Sequence, residues 1–252
     1  MENMEYIIMG KTYYEMKKSF SDKIFNRQFF LYSICQEICI YEDKYFGKKD
    51  DETLVFSGLT FSMLDNYQGF LFSYLSGDYL TVIQKIRIIY ETYIIFRYID
   101  RYKELAKPFL DHKEIMKHSI SKYTMKEEEK DENYTEVINK YGEDFSADYG
   151  WTKAKIEKKK NRKLIYLAND LGAGEKMNLL YKLTSNIIHT SSFSVFYKDK
   201  LDSVIIKTFL PALIEMLVEQ TVKYAEIMCK DKKESVFINI FVHGLKTQLY
   251  QK

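Results

Sequence analysis

Arg87 and Glu91 stand four residues apart inside Tyr79–Ile99, a run otherwise built from Leu80, Val82, Ile83, Ile86, Ile88, Ile89 and their neighbours. Four residues is one helical turn, so the two charges share a face. A helix that is apolar on nearly every side is expected in the middle of a bundle. Charges carried there must be paired or line a wet cavity, and removing one partner of a buried pair costs about 3–5 kcal/mol. A second set lies in Lys176–Ser192, where Tyr181, Ser185 and His189 follow one another at four-residue steps. They form one polar stripe beside the apolar Met177, Leu180, Leu183, Thr184 and Ile187. A serine and a histidine one turn apart beneath a phenol are suited to activating a hydroxyl or holding an anion. The third set is the basic run from Lys153 to Lys163: Lys153, Lys155, Lys158, Lys159, Lys160, Arg162 and Lys163 against Glu157 alone. It follows Trp151, the single tryptophan, so it is read either as a patch for nucleic-acid phosphates or as a solvated helix face.

Other polar groups make weaker constellations. His112 and His118 are six apart and fall on different helix faces, whereas Asp111, Glu114 and His118 share one. His243 has no partner by spacing. Gly-rich phosphate loops, CxxC pairs and HExxH are missing from the sequence, so neither a metal nor an organic cofactor is expected. Cys35 and Cys39, one turn apart on an apolar segment, read as buried thiols; with Cys229 they make an odd, sparse set that is no disulfide framework.

The elements that must position these groups are helical. Gly and Pro number only 10 and 2, about 5% of the chain where roughly 12% is usual. That is too few turn formers for an all-β fold or repeated βαβ units. Hydrophobic residues at 46% with 29% charged exclude disorder, and 38 basic against 36 acidic side chains leave a net charge of +2. Bulk attraction to nucleic acid or a membrane surface is thereby excluded. Periodicity predicts helices over about 5–18, 22–45, 52–75, 79–101, 108–122, 126–140, 153–170, 175–190 and 201–230, with Pro211 splitting the last, and over 233–251. Ser76-Gly77-Asp78 reads as a turn and cap together, and 142–152 as a loop. The expected architecture is all-α, a single domain over 1–252 with about eight to ten helices. The first residues lack the basic and apolar regions of a secretory signal, and no run approaches the ~20 apolar residues of a membrane span. A cytoplasmic protein is expected.

Gly77-Asp78, then Arg87-x-x-x-Glu91, a tryptophan near a basic stretch, and Tyr181-x-x-x-Ser185-x-x-x-His189 together resemble a large uncharacterised bacterial helical family, catalogued as a domain of unknown function (five-six-seven-seven). The resemblance covers roughly 51–196 and implies an all-helical fold in which the Arg/Glu helix packs against the Tyr/Ser/His helix. More distantly the chain resembles HEPN-type bundles, many of them dimeric RNA-cleaving toxins or phage-defence effectors. Their mark is an Arg four to six residues before a His, and no Arg here stands so.

These features support three readings. In an enzyme, Arg87, Glu91, Tyr181, Ser185 and His189 converge in one pocket, where Arg87 holds an anionic group, His189 is the general base or acid and Glu91 orients one of them, as in a HEPN-like ribonuclease. In a binding module for stress or defence, the same pocket, with Arg87, Tyr181 and Ser185, holds a small anionic ligand, a nucleotide or RNA without chemistry. In a non-catalytic scaffold, the same groups form a satisfied buried network and the surface serves dimerisation. The partners compatible with these readings are a small anionic ligand, RNA or a second copy of the chain, and no membrane.

Overall fold

The computed structural model describes residues 23–46, 50–124, 132–188 and 209–228. Among them are eight α-helices and no strand. They are α1 (Lys23–Phe46), α2 (Asp51–Ser76), α3 (Tyr79–Arg101), α4 (Ala106–Thr124), α5 (Glu132–Tyr141), α6 (Leu164–Asp170), α7 (Gly174–Ile188) and α8 (Leu210–Met228). The fold is all-α, as composition requires. The helices expected over 5–18 and 233–251, and the starts of those over 126–140 and 201–230, lie outside the described residues.

Local chemistry sets the helix ends. Asp50 caps α2: its Oδ1 accepts from the Thr53 backbone N–H at 2.8 Å, and Asp51 and Glu52 in the first turn complement the helix dipole. Asp78 does the same for α3, accepting from Thr81 N at 3.2 Å and from Thr81 Oγ1 at 2.6 Å. Between α2 and α3, Gly77 takes φ +73°, and Gly77 N and Asp78 N close back on the carbonyls of Tyr74 and Ser73. Pro108 lies in the first turn of α4, and Pro211 is the second residue of α8. Both occupy positions whose N–H a helix leaves unpaired.

The chain forms two compact units. The first takes in the described residues of Met1–Lys48, Phe56–Tyr93 and Asn178–Lys252. Here α1 and α8 pack side by side, and the core holds Leu31, Phe56, Met63, Phe70, Ile83, Ile86, Leu213 and Tyr224, all nearly sealed from solvent. Tyr32 stacks on Tyr67 with centroids 5.9 Å apart and planes 6° from parallel, and the Tyr67 hydroxyl donates to Gln28 Oε1 at 2.5 Å. Cys35 and Cys39 are buried thiols. Burial pushes the Cys35 thiol up to about 12 against an opposing hydrogen bond with Thr221. Cys229 lies outside the described residues.

The second unit takes in the described residues of Lys49–Val55 and Ile94–Met177. Here α4 packs on α5 and on short 3-10 turns at Lys103–Leu105, Glu143–Ser146 and Gly150–Thr152. Trp151 is buried edge-on between Tyr98 (6.3 Å) and Phe109 (5.1 Å). It anchors this unit and has no face left for a nucleobase. Two expectations fail in this region. The stretch 142–152 is not a plain loop but carries two 3-10 turns, and 153–163 is not helical: it holds turns and a 3-10 element at Lys159–Asn161 before α6 begins. The reason is Arg162. Its guanidinium takes the carbonyls of Ile156 (2.9 Å) and Glu157 (2.8 Å), which in a helix would accept from backbone N–H groups.

Candidate functional site

The first unit brings α3 and α7 together at Arg87 and Tyr181. Within α3, Arg87 Nε donates to Glu91 Oε1 at 3.0 Å, the one-turn contact that helix pitch dictates. From α7, the Tyr181 ring lies under the same guanidinium, with Arg87 Cζ 4.5 Å from the ring centroid. Burial, the largest single influence on this guanidinium, disfavours its charge, but Glu91 and the Tyr181 hydroxyl together outweigh it and hold the pKa above its usual value. The carboxylate is bonded through Nε, and the Tyr181 hydroxyl is a second hydrogen-bond partner of the same guanidinium. Ser185 follows Tyr181 by one turn and is half-buried.

The structure corrects one expectation about this pair. Tyr79–Ile99 is not sealed on every side: Leu80 is 49% and Ile88 38% exposed, and the Arg87 and Glu91 side chains are 29% and 30% exposed. The sequence shows how apolar a helix is; how many of its faces are covered depends on neighbours that lie elsewhere in the chain. The ion pair is therefore a part-exposed surface pair and not a buried one. Losing it costs about 1 kcal/mol or less, in place of the larger penalty expected for a buried pair. His189 lies outside the described residues, so of the enzyme's intended set the structure describes Arg87, Glu91, Tyr181 and Ser185.

The basic run of the second unit divides into unlike parts. Arg162 is not a phosphate contact: its side chain is 2% exposed and spent on backbone carbonyls, with Asp144 Oδ2 at 3.8 Å. Lys153 Nζ donates to the Tyr141 carbonyl at 2.8 Å. Lys155 pairs with Glu104 and sits 4.8 Å over the Tyr102 ring, and Lys159 pairs with Asp144 at 3.3 Å. Lys158, Lys160 and Lys163 are exposed. Cation spacing alone does not reveal such partners, since they come from 104, 141 and 144.

The histidines of α4 part company as their spacing predicts. His112 is buried against Phe145, its Nε2 donating to the Ala147 carbonyl at 2.9 Å, while His118 stacks on Tyr134 at 3.9 Å. Asp111 serves neither: it accepts from Lys107 (3.0 Å), Lys140 (3.1 Å) and Tyr141 (2.9 Å). Burial pushes its carboxyl up, but those three donors prevail and lower it. This hub, invisible in the sequence, joins α4 to α5.

A family model described as a family of unknown function, DUF5677, matches residues 53–202. The chain belongs to that family. The matched span contains α3, α7, the Arg87–Glu91 pair, Tyr181 and the basic run. No curated protein matches the chain. No solved structure matches it either. Among the described residues no helix is long and apolar enough to cross a membrane.

Proposed function

We propose that this family member is a binding module for a small anionic ligand, held by Arg87 on the α3–α7 face of the first unit. The observation that carries this reading is the geometry of the guanidinium. Glu91 fixes it through Nε and Tyr181 supports it from below, while it stays about 30% exposed to incoming solute. An arginine so held has lost little further freedom to surrender on binding, and its planar guanidinium matches the paired oxygens of a phosphate or carboxylate. Ser185, one turn from Tyr181, supplies a hydroxyl to the same ligand. Glu91 is a positioning residue.

A second reading, the non-catalytic dimerising scaffold, is favoured by one observation: Glu91 already neutralises Arg87. Calorimetric titration with inorganic pyrophosphate separates the two. The binding reading expects saturable binding by wild type, at least tenfold weaker binding by Arg87→Gln, and unfolding free energies that agree within about 1 kcal/mol. Absence of binding by wild type, or equal binding by both proteins, overturns it. If Arg87→Gln instead shifts a dimer to monomer in sedimentation, the scaffold reading replaces it. Cleavage of RNA by wild type but not by His189→Ala would put the ribonuclease reading in its place.

A further inference from the structure

The surroundings of Tyr181 narrow the ligand class, and this step rests on the anion-binding reading above. Tyr181 is 50% exposed even though Arg87 covers part of its ring, so a large aromatic surface faces solvent beside a cation. Gln84, three residues before Arg87 on α3, is exposed, and so is Asn178, three residues before Tyr181 on α7. Helical spacing puts Gln84 on the Arg87 face of α3 and Asn178 on the Tyr181 face of α7. The result is a cation, an open π surface, two primary amides and the Ser185 hydroxyl on neighbouring helix faces. A simple inorganic anion has no use for the ring or for amides that each both donate and accept.

The geometry points to a nucleotide as the ligand, its phosphate on Arg87, its base stacked on Tyr181 and its base edge met by Gln84 and Asn178. Stacking on a single aromatic side chain tolerates any base, because every base has a π face. Discrimination among bases then falls to the amides, whose donor and acceptor groups complement particular edges. The same chemistry is offered by a free nucleotide and by a nucleotide within a single RNA strand.

The test compares AMP, UMP, ribose 5-phosphate and a single-stranded hexaribonucleotide by calorimetry on the full chain. The nucleotides are expected to bind at least about fivefold more tightly than ribose 5-phosphate, the lower end of a single base stack. Tyr181→Leu should remove that difference, lowering nucleotide affinity by a larger factor than ribose 5-phosphate affinity, while Tyr181→Phe should keep it. Gln84→Ala and Asn178→Ala should change the ratio of AMP to UMP affinity. Tighter binding of the hexanucleotide than of AMP places the site on a strand; equal binding assigns it to free nucleotides. Equal affinity for AMP and ribose 5-phosphate overturns the nucleotide assignment and leaves the anion reading standing. If pyrophosphate, ribose phosphate and nucleotides all fail to bind wild type, both fall together.

Discussion

Replacing Arg162 by methionine should weaken the second unit by about 3 kcal/mol. The side chain is 2% exposed. It makes two short charge-assisted bonds, Nε to Ile156 O at 2.9 Å and Nη2 to Glu157 O at 2.8 Å. Such bonds contribute about 1.5–3 kcal/mol each, so their loss removes roughly 3–6 kcal/mol. Methionine restores part of this, because it fills much of the stem's volume and no longer has a charge to desolvate. The remaining polar contacts are minor: Nη1 to Asp144 O is long at 3.4 Å, and the Asp144 carboxylate is 3.8 Å away and 46% exposed. Asp144→Asn should therefore change stability by less than about 1 kcal/mol. The assay is urea unfolding followed by Trp151 fluorescence, because the single tryptophan is buried in this same unit and reports its melting directly. With a urea slope of about 1–3 kcal/mol per molar, the Arg162→Met midpoint should fall by roughly 1–3 M. A midpoint within 0.3 M or so of wild type, or an Asp144→Asn loss as large as that of Arg162→Met, would refute the argument that carbonyl satisfaction holds this segment.

His112 supplies a pH prediction. Burial, its dominant influence, holds the imidazole below its usual value against the backbone bonds at Ala147 and Phe145. A folded pKa below the unfolded one means that protonation favours the unfolded chain. Stability is full above the unfolded value of about 6.5 and declines as pH falls through it. Wild type should therefore lose more stability than His112→Gln between pH 7.5 and 5.5 in the Trp151 assay; parallel losses count against the assignment. Gly150→Ala is expected to destabilise the second unit by about 2 kcal/mol or more. The added Cβ would stand 2.1 Å from the Phe145 carbonyl oxygen, backbone that has no rotamer to yield. Unchanged thermal unfolding of that variant would show the loop to be freer than its packing implies.

Much of the helical framework was legible because its causes are local. Asp78 caps whatever helix follows it, Gly77 permits the reversal before it, and Arg87 and Glu91 meet because four residues make about one turn. The scarcity of turn formers settled the fold class, and the apolar surroundings of Cys35 and Cys39 announced two buried thiols. That Tyr181 would carry the Arg87 guanidinium was not readable.

What the tertiary structure alone decided was which charges remain available and which are consumed. Arg162 looks like its lysine neighbours in sequence, yet it is buried, and Lys153, Lys155 and Lys159 find partners on other segments. Arg87 and Glu91, surrounded by apolar residues, end up part-exposed. The physical reason is one of range. A cap or a one-turn ion pair is fixed by covalent geometry within a few residues. The solvation of a charge depends on every atom that arrives around it, and most of those atoms belong to residues far away along the chain.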